Sequence, residues 1–263
     1  MEQIRIVTIN TWKCDGNYDK RLTLMASQLK ALSPGIIACQ ECFSSAEAGA
    51  DTLRFLSESL DMQAYFLPGR FRKRLFKGNW VQSFSGLGIL SAFPLKELDS
   101  FTLPDVPGDE QRKLQLAEIL LPGDQKMLFA NTHLTHLRNT EMRKEQAAFV
   151  ADTISAFDEF KYKIVCGDLN AIPDSVEVKA LASRAKAIDC YTAGNGPEPR
   201  YSLAEAYNRG ILICVDHILA LPYPATYSYP DFVNSSIVLN TKDQENGIYP
   251  SDHFGISTTL VID

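Results

Sequence analysis

Six apolar, strand-length stretches of this chain carry an Asn, Asp, Glu or His at one end: Asn10, Glu41, His133, Asp168 with Asn170, Asp216, and Asp252 with His253. No Lys or Arg belongs to that set. A chain patterned this way is constrained towards a fold in which strand ends gather, because chemistry concentrates on loops held by a rigid scaffold. The fullest example is Ile164–Pro173, I-V-C-G-D-L-N-A-I-P. Ile164, Val165 and Cys166 suit a buried strand. Gly167 ends it, and Pro173 with Asp174 opens a turn. Side chains two apart in extended backbone point to the same side, so Asp168 and Asn170 are presented together. The carboxylate can take a proton or hold a metal, and the amide can donate to an oxyanion and orient a water. The same residues would also serve an Asx-rich turn after a core strand. The other five strand ends favour the chemical reading.

The rest of the chain mixes strands and helices. Ile4–Asn10 alternates as a strand, with Ile4, Ile6 and Thr8 on one side and Val7 and Ile9 on the other. Leu22, Met25, Leu29 and Leu32 recur at helical spacing over Tyr18–Leu32, and Ser33-Pro34-Gly35 stops that helix. A strand is predicted at Ile36–Cys39, a helix over Ser45–Leu60, and strands at Met62–Leu67 and Leu87–Ser91. Arg112–Leu121 and Lys126–Thr132 form a hairpin pattern around Pro122-Gly123-Asp124. Thr140–Phe157 is an amphipathic helix that Thr140 can cap. A short helix is predicted over Ser175–Ala185 and a Gly/Pro loop at Gly194–Arg200. The last strands are Val215–Leu219, Ser235–Leu239 and Phe254–Val261. There is no internal repeat and no linker. Strand–strand hairpins occur beside strand–helix units, which argues for an α/β fold of two stacked sheets covered by helices, residues 1–263 as one domain.

The net charge of −6 excludes a globally basic nucleic-acid binder but not a local basic patch. No apolar run is long enough for a membrane span, and the opening M-E-Q-I-R-I-V lacks the apolar core of a signal peptide, so a soluble, cytoplasmic monomer is expected. Cys39 and Cys42 have the spacing of a redox or zinc pair, but no second such pair exists, and the six cysteines read as buried thiols. The strand-end set is rich in hard oxygen donors. Glu41, Asp168 and Asp252 would suit Mg²⁺ or Mn²⁺ rather than structural zinc. Histidines and carboxylates beside such a metal suit phosphoester hydrolysis. His253 and Asp216 have the makings of an oriented imidazole pair.

Six motifs carry a family resemblance: Thr8-Ile9-Asn10, Gln40-Glu41, Asn131-Thr132-His133-Leu134, Gly167-Asp168-Leu169-Asn170, Val215-Asp216-His217-Ile218 and Ser251-Asp252-His253. In kind and order they resemble those of the endonuclease/exonuclease/phosphatase superfamily of deoxyribonuclease I-like, metal-dependent phosphohydrolases. The resemblance implies a four-layer α/β sandwich with the strand ends meeting in one cleft. It implies Glu41 as the principal magnesium ligand, with Asn10 and Asp252 beside the metal. It implies that Asp168 orients or deprotonates the attacking water, that Asn170 holds the scissile phosphate, that His253 paired to Asp216 contacts the phosphate, and that His133 assists the transition state or leaving group. One departure is Leu87, where many members carry an Asn. His217 reads as a structural neighbour, and His136 either lines the cleft or sits at the start of a helix.

Substrate choice is expected to lie elsewhere. Arg70–Lys77 holds five cations in eight residues with Phe71 and Phe76 between them. As a loop it would be solvated, or would contact substrate through Arg70, Arg72, Lys73 and Arg74. Such a run can grip a nucleic-acid backbone, or dock on an anionic lipid surface. Arg112, Lys113, Arg138 and His136 are further candidates near the cleft. The expected partner is a phosphoester: nucleic acid, or alternatively a phospholipid or inositol phosphate.

Overall fold

In the computed structural model, residues 2–262 are described. Thirteen strands run in chain order: β1 (Glu2–Asn10), β2 (Ile36–Ser45), β3 (Ala50–Asp51), β4 (Gln63–Phe76), β5 (Asn79–Ser91), β6 (Leu95–Thr102), β7 (Lys113–Leu121), β8 (Gln125–His133), β9 (Tyr162–Asp168), β10 (Ile188–Asp189), β11 (Asp216–Leu221), β12 (Asp231–Val238) and β13 (Gly255–Ile262). The α-helices are α1 (Tyr18–Leu32), α2 (Thr52–Leu60), α3 (Thr140–Ser155), α4 (Val176–Ala185), α5 (Cys190–Asn195) and α6 (Ala204–Asn208). Among the described residues the strands form two mixed sheets. One has the order β12-β13-β1-β2-β5-β4, with β3 paired to β2, and the other β10-β11-β9-β8-β7-β6. Among the described residues only β1/β2 and β8/β9 pair in parallel.

Strand alternation explains the layering. Ile4, Ile6, Ile36, Ala38 and Ile89 of the first sheet pack against Ala117, Ile119, Phe129, Ile164 and Ile218 of the second. The opposite faces are covered by helices. Val7, Ile9 and Ile37 meet Met25 and Leu29 of α1 and Leu53 and Leu56 of α2. Leu128, Val165 and Leu219 meet Val150 and Ile154 of α3 and Leu181 of α4. These are the two mixed sheets flanked by helices of the deoxyribonuclease I-like sandwich, and each fully buried Leu, Ile or Phe adds about 1.5–3 kcal/mol of transfer free energy.

Several expectations are corrected. The stretch over Ser45–Leu60 is not one helix: β2 continues to Ser45, β3 follows, and α2 starts only where Asp51 caps it by accepting Arg54 N–H at 2.8 Å. Asn139, not Thr140, caps α3, accepting Met142 N–H at 3.1 Å. His136 therefore precedes that helix rather than starting it. Part of the Gly194–Arg200 stretch is helical, since α5 runs to Asn195. The basic run is not a loop. It is the second half of β4, joined to β5 by Lys77-Gly78, both at positive φ (49° and 83°), a two-residue turn whose twist matches a hairpin. All six cysteines are buried free thiols, and Cys39 and Cys42 lie on either side of a bulge in β2. No helix among the described residues is long and apolar enough to cross a membrane.

Candidate active site

Residues on the inner face of both sheets turn from apolar to polar at one edge of the sandwich. In β1 the series Ile4, Ile6 ends in Thr8 and Asn10; in β9 the series Ile164, Cys166 ends in Asp168. The two ends meet across the sheets, where Asn10 Nδ2 donates to Asp168 Oδ2 at 3.0 Å. Behind them lies a buried amide layer that the motifs only partly foretold. Gln40 Nε2 donates to Thr8 Oγ1 (3.1 Å) and Asn131 Oδ1 (2.8 Å), while Asn131 Nδ2 donates to the carbonyls of Cys39 (3.0 Å) and Gly88 (2.9 Å). This layer links the two sheets directly below the site and gives the buried Gln40 and Asn131 N–H groups their acceptors, while Gln40 Oε1 is left without a partner among the described residues.

Strand register sets the second row. His133 and Asp168 are neighbours across the parallel β8/β9 pair, and Asp168 and Asp216 across the antiparallel β9/β11 pair. Gly167 permits this approach, because a Cβ there would lie 2.1 Å from the Thr132 carbonyl oxygen. His253 enters from the 250–254 segment, with Nδ1 2.8 Å from Asp216 Oδ2 and Nε2 3.8 Å from Asp168 Oδ2. Burial opposes a charge on His253, yet the surrounding carboxylates, Asp216 foremost, raise its pKa to about 10. Burial and then the Asp216 charge push Asp168 upward. Burial, reinforced by the Arg112 charge, holds His133 well below its ordinary value. His133 Nε2 lies 3.1 Å from Asn170 Nδ2 and 3.3 Å from Asp168 Oδ2. Asn170 adopts φ +50°, donates its backbone N–H to Asp168 Oδ1 at 2.9 Å and its amide to the Leu134 carbonyl at 3.0 Å.

Glu41 does not point into the cleft by simple alternation from Gln40. It sits in the β2 bulge at φ +55°, a conformation rare for a residue with a side chain, and the bulge re-aims it. Its Oε2 is 2.8 Å from Lys13 Nζ. Asp252 is half-buried; burial raises its pKa, and among the nearby charges Glu41 pushes it the same way. Two residues escaped sequence reading here. Arg21 of α1 is buried and donates to the carbonyls of Thr11 (3.1 Å), Trp12 (3.2 Å), Lys13 (3.3 Å), Asp15 (2.9 Å) and Pro250 (2.9 Å). It thereby ties the segment carrying Lys13 to the one carrying Asp252. Arg143 of α3 reaches the Asn170 carbonyl while its Nε donates to Glu177 at 3.2 Å. A lone Arg on an apolar helix face was the signal in each case.

These groups open on one cleft of about 590 Å³, lined on one side by Asn10, Glu41, His133, Asp168, Asn170, Asp252 and His253. Asp216 stands behind His253, fully buried. The other side is mainly cationic, with Arg70, Arg72, Lys73, Arg74, Arg112 and Lys113 beside His136 and Glu110. Arg138 does not line it. Leu87 lines the cleft where an Asn was the family expectation. A further residue not anticipated by the sequence organises the cationic wall. The fully buried Asp109 binds Arg70 Nη2 at 2.7 Å, Arg112 Nη2 at 2.9 Å, His136 Nδ1 at 3.1 Å and Thr135 Oγ1 at 2.7 Å. Burial works against its charge, but Arg112, Thr135 and His136 outweigh it and lower its pKa to about 2. Arg74 is turned to Ser83, donating to its carbonyl and Oγ at 3.0 Å each. His217 is buried beneath the site with Nε2 2.8 Å from the Ala171 carbonyl, a structural position as expected.

The donor chemistry fits a hard divalent cation. Glu41, Asp252 and the Asn10 carbonyl offer oxygen only, no thiolate reaches the cleft, and of the two carboxylates, which repel one another, Glu41 is paired to Lys13. Asp168, Asp216 and His253 also lie close enough together to share an ion. The His253 Nδ1–Asp216 contact makes that group an imidazole–carboxylate pair instead.

A two-sheet sandwich with an acid, amide and imidazole cleft at its edge defines a phosphoesterase-type scaffold. The chain belongs to the Endonuclease/Exonuclease/phosphatase family, whose sequence profile matches residues 7–253. Members of that family are phosphoester hydrolases that generally use divalent metals. Solved structures agree in fold. An endonuclease/exonuclease/phosphatase from Beutenbergia cavernae is 20% identical with a TM-score of 0.79, over 100% of this chain and 72% of that one. D. rerio TDP2 humanised by 14 mutations is 20% identical with a TM-score of 0.75, over 99% of each chain. A family protein from Leptotrichia buccalis is 17% identical with a TM-score of 0.77, over 98% of this chain and 100% of that one. No curated protein matches the chain significantly.

Proposed function

We propose that this protein, acting as a single catalytic domain over residues 1–263, is a Mg²⁺-dependent phosphodiesterase that cleaves a polyanionic phosphoester, with a nucleic-acid strand as the leading substrate class. The observation that carries the reading is the contact between Asn10 and Asp168 beside the Asp216–His253 pair, in a cleft shared with Glu41 and Asp252. Glu41, Asp252 and Asn10 would hold the metal. When bound, it supplies charge neutralisation at the phosphate and a more acidic water.

The remaining roles follow from the electrostatics. His253, held protonated by Asp216, is a donor to a phosphate oxygen rather than a base at neutral pH. Asp168, pushed upward by burial and by Asp216, is a stronger base than an ordinary carboxylate and is placed to take the proton of the attacking water. Asn170 presents its amide beside Asp168 towards the scissile phosphate. His133, kept neutral by burial, serves the leaving-group side. Arg72, Lys73 and Lys113, with Arg70 and Arg112 fixed by Asp109, face flanking phosphates; Leu87 contributes no hydrogen bond to them. This supports a substrate carrying more than one negative group.

The test is hydrolysis of bis(p-nitrophenyl) phosphate and of a single-stranded oligonucleotide, each with Mg²⁺ or with EDTA. Turnover of at least one that requires Mg²⁺ is expected. Absence of metal-dependent turnover on both rejects the reading.

A further inference from the structure

The β4–β5 hairpin has a second face that meets the cleft only through Lys73. Residues alternate along its two strands, and pairs at the same register share a face. Arg72 and Arg74 lie with Ser83 and Val81 towards the cleft and the body of the protein, where Phe76 and Val81 join a core cluster with Tyr18, Leu22 and Phe43. The opposite face carries three successive cross-strand pairs: Phe71 with Phe84, Lys73 with Gln82, and Leu75 with Trp80. Phe71 and Phe84 are in ring contact, 4.8 Å between centroids. Phe71, Leu75 and Trp80 are 53%, 55% and 67% exposed, so this apolar ladder faces solvent at the tip of an edge hairpin.

Its charge environment narrows the partner. No Asp or Glu occurs between Asp61 and Glu97, while Arg70, Arg72, Lys73, Arg74, Lys77 and Lys96 all fall in that interval of an otherwise acidic chain. Two acids approach from neighbouring elements. Glu47 is engaged by the Gln82 backbone N–H at 2.8 Å, and Asp19 pairs with Lys77 at the surface. Arg72 and Lys73 are exposed and have no ion-pair partner among the described residues. A second copy of the chain is disfavoured, because face-to-face hairpins would bring the Lys73 rows together. A nucleic-acid strand is disfavoured on this face, because Leu75 offers no ring for a base and Arg70, Arg72 and Arg74 alternate onto the other face.

We propose that the outer face of the β4–β5 hairpin docks on an anionic lipid bilayer, Leu75, Trp80 and Phe71 entering the headgroup boundary while Lys73 between them meets acidic headgroups. Aromatic and aliphatic side chains beside cations are the composition that a membrane interface selects, each apolar insertion adding to electrostatic attraction. The inference stands apart from the hydrolase reading, since Phe71, Leu75 and Trp80 line no part of the cleft.

The test is co-sedimentation of the full chain with vesicles of phosphatidylcholine alone or of phosphatidylcholine with phosphatidylserine. The wild type should partition onto the phosphatidylserine vesicles and not onto the neutral ones, with a blue shift of tryptophan emission. The double variant Leu75→Ser with Trp80→Ser should lose on the order of tenfold or more in partitioning, with unchanged circular dichroism and unchanged turnover of a soluble phosphodiester. Absence of wild-type binding to anionic vesicles, or equal binding by the double variant, overturns the proposal. So does single-stranded oligonucleotide binding or self-association that the double variant abolishes while vesicles are ignored. Lone Phe71→Ser, farther from the tip, should give a smaller loss, which separates insertion from a general disturbance of the hairpin.

Discussion

Replacing Asp109 by Asn should cost both stability and substrate affinity, and the structure sets the size. The carboxylate has no exposed surface and its pKa falls from 3.8 to about 2. A tenfold change in a protonation equilibrium is worth about 1.4 kcal/mol, so the charged form contributes about 2 kcal/mol to the native state. The group's folded pKa is depressed. Its contribution is therefore fully present above about pH 4 and disappears as the pH falls through about 2. Asp109→Asn should lower the unfolding free energy in urea by about 2 kcal/mol at neutral pH, and the gap should close below pH 4. Asp109→Ala should cost about 3–5 kcal/mol, because Arg70 and Arg112 are then left without their buried partner. In both variants freed guanidinium groups should raise KM for an oligonucleotide more than they lower kcat, since Asp109 positions the wall and not the reacting atoms. A gap between wild type and Asn variant that is unchanged from pH 7 to pH 3, or a loss below about 0.5 kcal/mol, would refute the reasoning.

Three further outcomes are expected. Glu41→Gln should weaken Mg²⁺ binding by on the order of a hundredfold in calorimetry, since removing even a supporting partner of a metal ligand costs about 10–100-fold; wild-type affinity would take Glu41 out of the metal site. His253→Ala should lower kcat by roughly 10²–10⁴-fold with an intact circular dichroism spectrum; near-normal turnover would remove it from the mechanism. His217 is neutral in the fold, with burial the main cause of a pKa lowered from 6.5 to about 4. The unfolded chain takes up its proton first, so stability should fall by up to about 3 kcal/mol as pH drops from 6.5 towards 4. Ring-proton NMR checks this directly: a His217 that titrates near pH 6.5 contradicts it.

Much of this was legible in the chain because strand alternation is a local property. Ile4, Ile6 and Thr8 could be placed on one face, with Asn10 at the strand's end, before any contact was known, and α1 runs over Tyr18–Leu32 as its spacing implies. Local pattern fails where a side chain's role depends on distant backbone. Glu41 reaches the cleft through a bulge, and nothing in C-Q-E-C announces one. Asp109 is one acid in a loop with two prolines and a glycine, and its partners come from residues 70, 112 and 136. The basic run did carry a usable signal. Arg70, Arg72 and Arg74 alternate with Phe71 and Leu75, and Lys77-Gly78 is turn chemistry; charge obscured the period of two.

The site's position follows from chain direction as much as from residue identity. In β1, β8 and β9, and in β2 as far as its bulge, the inward-facing series becomes polar only at its last one or two members: Thr8 and Asn10, Asn131 and His133, Asp168, and Gln40. Because β1 pairs in parallel with β2 and β8 with β9, polar ends within each sheet fall at the same edge. The 3.0 Å contact of Asn10 with Asp168 requires that the two edges also coincide across the sandwich. An antiparallel partner running inward, β11, delivers its first residue, Asp216, to the same row. Side chains have a period of two along a strand, so a one-residue slip in any of these strands would turn its functional group away from the cleft and an apolar one into it. The apolar part of each strand therefore fixes the register that the polar end needs, and the same inter-sheet core that stabilises the fold holds the catalytic groups in contact.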